Sequence, residues 1–351
     1  VNTCCRLSIL FPLLALAAAP LARAVEVRCV DTTAELDAAA LVAVDDAVEI
    51  HLVQGTYNID NTVLRDFNGG IDPDPDDDLT IVGGYTPGCG SRSLEPFSTV
   101  LTSNSGNYWI NIHGGDDSGN VRFESVTLLD LPLYVDLGGP FSSGYSATLS
   151  RVALVRSPAR LQASQILVSQ TLAIDAPDVS QFRGCAIVVD DMDNVSVLHS
   201  VVTGSANRGF CTDNVEPAGG WTLHADNNIF WDNGGSDIYT RTSDDETDAT
   251  LLDNIIQSTS IVPASIHAPI GSLNQNPQFV APATNNFRVQ VGSPAINSGS
   301  LVPLGISQDI DGGPRQVGTA PDRGAYESNV DDTQIITVTK ASDQIAPLIT
   351  G

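Results

Sequence analysis

One unit returns along this chain at a near-constant interval, and that interval limits the possible folds more than any other feature. A large apolar residue is followed by two polar residues and a β-branched one. The unit occurs as Phe123-Glu124-Ser125-Val126, Leu149-Ser150-Arg151-Val152, Leu198-His199-Ser200-Val201 and Leu252-Asp253-Asn254-Ile255, with a looser copy at Asp226-Asn227-Asn228-Ile229-Phe230. The third slots, 125, 151, 200, 228 and 254, are spaced by 26, 49, 28 and 26 residues, and the gap of 49 holds a degenerate copy near Val168-Ser169-Gln170-Thr171. A strand–bend–strand unit of about 25 residues cannot bury its apolar edge alone and must stack on copies of itself. Stacked coils about 4.8 Å apart pair every backbone group with the coils above and below. Asn or Ser at a bend tolerates a left-handed backbone and can bond to neighbouring bends. Leucine-rich repeats share the period but need denser leucines, and a β-sandwich has no reason to keep it. The expected fold is all-β, a right-handed parallel β-helix of roughly nine to eleven coils with a short N-terminal capping helix.

The flanks complete the layout. Residues 1–24 read as a signal peptide, with Arg6, an apolar run from Leu7 to Ala19 and a small-residue cleavage site at Ala22-Arg23-Ala24. Residues 25–45 are the cap, in which Thr32 and Glu35 form a capping box before Leu36. Coils follow over 46–275, a closing segment over 276–327, and a tail or further region over 328–351. Alternation in Val48-Glu49-Ile50-His51-Leu52 turns Val48, Ile50 and Leu52 inward.

Export puts Cys29, Cys89, Cys185 and Cys211 in an oxidising compartment, where three pairings are open. Cys185 with Cys211 is favoured because their separation of 26 matches one coil; Cys29 with Cys89 then ties the cap to an early coil. The formal charge is −26, and losing Arg6 and Arg23 with the leader makes it −28. Nucleic acid, which demands a basic footprint, is excluded as a partner, and anionic lipid is disfavoured. No second hydrophobic segment is long enough to span a membrane. A monomer, secreted or held at a bacterial cell surface, is expected.

Two segments carry a resemblance. Ile50-His51-Leu52, Gly55-Thr56-Tyr57, Gly83-Gly84-Tyr85 with Cys89 and Arg92, and Thr99-Val100-Leu101 resemble the first coils of secreted pectate-lyase-like β-helix proteins. Asn276-Pro277-Gln278-Phe279, Gly292-Ser293-Pro294-Ala295-Ile296-Asn297-Ser298-Gly299, Asp309-Ile310-Asp311-Gly312-Gly313-Pro314-Arg315 and Asp322-Arg323-Gly324-Ala325-Tyr326-Glu327 resemble the closing segment of bacterial choice-of-anchor Q domain proteins. Asn297-Ser298 stands where that family more often has Asp-Ala, and Arg323 where an aliphatic residue is commoner. The resemblance implies an exported right-handed β-helix and no established reaction. Arg315 is expected to pair with Asp309, Asp311 or Glu327 and close the last coil.

Chemistry has few candidates. Asp72, Asp74, Asp76, Asp77 and Asp78 crowd one acidic stretch that could hold Ca²⁺ through oxygen ligands, without EF-hand spacing. Asp190, Asp191 and Asp193 could supply paired carboxylates for glycoside hydrolysis. Arg183 and Arg208 flank them and are candidate bases for a Ca²⁺-dependent lyase. The Gly-His-Gly and Arg-x-Lys motifs of β-helix polygalacturonases are absent from the sequence. Trp221, Trp231 and Tyr239 could stack on sugar rings. The leading expectation is a non-catalytic scaffold contacting polysaccharide or cell-surface glycan. The alternatives are a polysaccharide lyase or glycoside hydrolase, and a structural stalk of a larger adhesin.

Overall fold

The computed structural model describes residues 25–44, 47–60, 62, 64, 78–105, 108–113, 119–138, 144–190, 192–214, 221–242, 248–262, 269–300 and 306–329. The expected leader, most of the acidic stretch at 72–78, Asp191 and most of the tail fall outside these residues.

The chain is a parallel β-solenoid of three sheets. Sheet A has nine strands in the order in which they occur along the chain, sheet B eight and sheet C seven. One coil reads Ser146–Ser150 in sheet A, Ala153–Val155 in sheet B and Ala159–Gln162 in sheet C. Each strand pairs in parallel with its equivalents before and after. Among the described residues, seven coils carry a strand in all three sheets, fewer than the nine to eleven expected. Coil length is uneven: the step from Leu79 to its partner Val121 spans 42 residues, and that from Ala147 to Ile166 only 19. The described residues after 276 add no strand to the three sheets.

The N-terminal cap is built as expected. Thr32 and Glu35 close a capping box on the helix Thr33–Ala40, which buries Leu36, Ala39 and Ala40 against the core. Glu26–Val30 also adds a first strand to sheet A, beside Val48–Val53. Cys29 is disulfide-bonded to Cys89 across 60 residues, a loop whose closure contributes about 4 kcal/mol in the chain-entropy account.

Bends between sheets A and B hold the stack in register. Ser125, Arg151, Gln170, His199, Asn227 and Asp253 all have left-handed φ, between 47° and 58°. The next residue in each coil turns inward, and in the later coils it is polar. Thr171 N–H donates to Ser200 Oγ at 3.1 Å, Ser200 N–H to Asn228 Oδ1 at 2.8 Å and Asn228 N–H to Asn254 Oδ1 at 2.9 Å. Asn228 and Asn254 also donate through Nδ2 to the carbonyls of Val197 and Ala225. The repeat frame needs a correction here. Ser200, Asn228 and Asn254 share one column, but Ser125 and Arg151 occupy the left-handed column one residue earlier. The inward equivalents of Asn228 in those coils are Val126 and Val152, so the ladder begins only at Thr171.

Sheet B is apolar on both faces. Leu154, Ala173, Val202 and Phe230 point into the main core, while Ala153, Val155, Leu172, Ile174, Val201, Ile229 and Ile255 point outward. Parallel strands buried on both sides read as continuous apolar runs, as these do. Residues 276–329 supply the cover. Phe287, Ala295, Ile310, Ala325 and Tyr326 pack onto the outer residues in a second core. This strap runs back along the coils instead of closing the last one. Arg323 Nη1 donates to Asn254 O at 2.8 Å, Gly324 N–H to Asn227 O at 2.7 Å, and Arg151 Nε to Asp309 O at 3.3 Å. Gly324 sits at φ 94°, and a Cβ there would lie 2.8 Å from Ile229, so the strap's closest approach needs glycine. Arg315 does meet Glu327, at 3.6 Å, but lies against His199 and not at the last coil. Asp311 pairs with Arg288 instead, and Asp309 accepts the N–H groups of Asp311, Gly313 and Glu327.

The ladder yields a quantitative expectation. Asn228→Ala leaves the buried Ser200 N–H and Val197 carbonyl without those partners, at about 1–3 kcal/mol per orphaned group. A denaturant titration should show that loss with an unchanged m-value. Wild-type stability in the variant would mean the ladder is not a holding element.

Candidate functional site

The two free faces differ. Sheet B is covered by the strap. One outward column of sheet A mixes Thr80, Thr148, Ser196 and Thr250 with Arg122, Leu167 and His224, and the next carries Glu124, Ser150, Ser169 and Asp226. Sheet C is decorated. One outward column aligns Asn111, Tyr134, Arg160, Val188, Cys211 and Tyr239 on successive strands. The next aligns His113, Asp136, Gln162 and Asp190.

The columns interlock. Arg160 lies over the Tyr134 ring, 5.3 Å from its centroid, and donates through Nε to Asp190 Oδ2 at 2.7 Å. Arg183 brings Nη2 to 3.6 Å from the other oxygen of Asp190. The Tyr134 hydroxyl donates to Gln162 Oε1 at 2.7 Å and lies 3.1 Å from Asp136 Oδ2. Burial, with the charge of Asp136, raises the Tyr134 phenol above its usual range and keeps it protonated. His113 Nδ1 is 3.2 Å from Asp136 Oδ2.

A short insertion shapes the face between sheets B and C. Ser180–Phe182 forms a single 3₁₀ turn, followed by left-handed Arg183 and Gly184. A Cβ on Gly184 would lie 2.5 Å from Asp178 Oδ1 and 2.7 Å from Asn207 Nδ2, and at φ 69° any other residue would be strained there. The turn seats Phe182 on the disulfide Cys185–Cys211 and Val188, with Trp109, Val179 and Tyr239 packed around them. The two cysteines lie on neighbouring strands but not opposite each other: Cys185 faces Arg208, and Cys211 faces Val188. Arg208 stacks on Tyr239 at 4.0 Å and donates to the Arg183 carbonyl. Trp109, Tyr134, Arg160, Gln181 and Phe182 line a hollow of about 160 Å³. That is below the roughly 300–1,000 Å³ of sites enclosing drug-sized ligands, so it suits one ring of a longer chain.

The candidate residues divide. Asp190, Arg183 and Arg208 come together on this face, but Asp190 is only 1% exposed beneath two guanidinium groups. Such a carboxylate is a structural counter-ion, held from water and from any substrate proton. Asp193 belongs to the bend entering sheet A, where its N–H and C=O pair with Ser164 and Thr222. Asp191 lies outside the described residues, as do Asp72, Asp74, Asp76 and Asp77. Asp78 accepts from Asn120 N–H and Nδ2 at 2.9 and 2.8 Å, tying two coils together. Among the described residues, no group of three or more His, Cys, Asp or Glu could hold a metal ion. Among them too, no helix is long and apolar enough to cross a membrane.

The three aromatic candidates lie in different places. Trp221 is 3% exposed inside the main core and offers no face to a sugar. Trp231 packs on the second core under the strap, and Tyr239 is covered by Arg208. The rings that line the hollow are Trp109, Tyr134 and Phe182, which sequence reasoning did not select. Tyr134 and Arg160 stand one coil apart, at 26 residues, and that spacing was the available signal.

No protein-family model matches this chain, and neither a curated protein nor a solved structure does.

Asp190→Ala tests the structural role. Breaking a buried ion pair costs about 3–5 kcal/mol, because the guanidinium groups lose their counter-charge. The expected result is an unfolding free energy, read by denaturant titration, lowered by that much. Unchanged stability would reopen a catalytic role for Asp190.

Proposed function

We propose that this chain is an exported β-solenoid that binds a glycan, without cleaving it, on the outer face of sheet C. The hollow at Trp109, Tyr134 and Arg160 is the observation that carries this reading. Aromatic rings give a sugar a flat apolar surface, and flanking Arg160 and Gln181 offer hydrogen-bond donors to its hydroxyls. The parallel stack keeps such groups at fixed spacing on a rigid sheet. Export rests on the leader pattern at 1–24 and on two disulfides, which suit an oxidising compartment. Likeness to choice-of-anchor Q proteins supports a place at the cell surface.

Hydrolysis is the second reading. Asp136 and Asp190 share a column two strands apart, about 9.5 Å between backbones, near the carboxylate span of inverting glycosidases. Asp190's burial counts against it. Ca²⁺-dependent elimination would have to draw on the acidic stretch at 72–78.

A polysaccharide panel separates these readings, with Ca²⁺ present and binding, reducing ends and unsaturated products all followed. The expected outcome is retention of at least one glycan with no product. Trp109→Ala should weaken binding roughly tenfold or more when measured well below the melting transition, which itself drops because the ring also packs on Phe182. Product formation, or binding indifferent to Trp109, would refute the proposal.

A further inference from the structure

The N-terminal end of sheet A is an open edge. Glu26–Val30 stands first in that sheet's nine-strand order, and among the described residues it pairs only with Val48–Val53. Glu26 N–H donates to Ala47 O on that inner side. Backbone groups alternate from side to side along a strand, so Val25, Val27 and Cys29 turn their N–H and C=O groups away from the sheet. An unpaired row of this kind is a template for another strand.

Side chains on this edge are ordered about Val27. Glu26 and Arg28 flank it and share one face of the strand, where Arg28 Nε donates to Glu26 Oε1 at 2.9 Å. Val25, Val27 and Cys29 share the other face, with Val25 49% and Val27 57% exposed. The edge complements itself when a second copy lies antiparallel with Val27 opposite Val27. Glu26 then faces Arg28 of the second copy, and Arg28 faces its Glu26. Val25 meets Cys29, and the two Val27 residues exchange both backbone bonds, as a hydrogen-bonded antiparallel pair does. A parallel arrangement would instead set Glu26 against Glu26 and Arg28 against Arg28, which repels. Charges that guard an edge repel a second copy; these, with opposite signs mirrored about Val27, attract one.

We propose that the strand Glu26–Val30 is a homodimer interface, at which two copies join their A sheets edge to edge about a two-fold axis at Val27. This dimer stands in place of the monomer expected from the sequence, and it does not depend on the sheet C site. An edge of five residues buries less than the roughly 1,200 Å² of stable interfaces, so the association is reversible.

Sedimentation velocity from about 1 to 300 μM tests it, a range that spans weak association. The weight-average mass should climb from one chain towards two. Glu26→Arg alone makes the edge wholly positive, and Arg28→Glu alone makes it wholly negative. Each should weaken self-association roughly tenfold or more, while an equimolar mixture of the two should regain it, because each edge then meets the opposite sign. The mixture thereby separates pairing across the edge from loss of the Arg28–Glu26 bond within one chain. Val27→Pro removes an N–H that faces outward, and should dissociate the dimer while melting like wild type. A single-chain mass at every concentration would overturn the proposal. So would a dimer that survives both same-sign variants or Val27→Pro, since it would form elsewhere.

Discussion

Everything in this molecule follows from a sheet that is apolar on both sides. A coil of three strands needs only one inward face to make a solenoid core. Sheet B carries a second apolar face, with Val155, Leu172, Ile174, Val201 and Ile229 directed away from that core. Side chains of this kind contribute about 1.5–3 kcal/mol each when fully buried, so such a face does not stay in water. The strap is the answer, and its position decides the rest. It covers sheet B, fixes the bends from Asn254 back to Arg151, and leaves sheets A and C free. On sheet C, rings and guanidinium groups surround a hollow.

Charge is organised by the same logic. The chain is strongly acidic, yet arginines gather around individual carboxylates instead of forming a basic surface. Glu124 is met by Arg92, Arg122 and Arg151; Asp190 by Arg160 and Arg183; Asp253 by Arg323; and Glu327 by Arg315. Most of these carboxylates are buried. An arginine bound in this way is a poor general base, because losing its proton would strand a buried negative charge.

Much of the fold was legible because it depends on local chemistry. The capping box at Thr32 and Glu35 needs only two residues at the right spacing. Coil stacking showed in the recurrence of the bend, although the frame slipped by one between Ser125 and Ser200. The slip has a physical origin: inward bend positions hold valine in early coils and Ser or Asn only in later ones. The strap was harder to see. Its signal was the run of wholly apolar three-residue strands, such as Leu172–Ile174, which do not alternate and so must be buried on both faces. The site was least legible. Which tryptophan faces out depends on coil register, and Trp221 and Trp109 look alike until that register is known.

The central claim is that the strap, by burying the outer face of sheet B, holds the coils in their native register. Native-state hydrogen exchange on the double variant Phe287→Ala, Ile310→Ala tests it most directly. The account predicts that amides in Ala153–Val155, Leu172–Ile174 and Val201–Thr203 exchange roughly thirtyfold faster or more, equivalent to about 2 kcal/mol of lost packing. Undiminished protection in those three strands would contradict it.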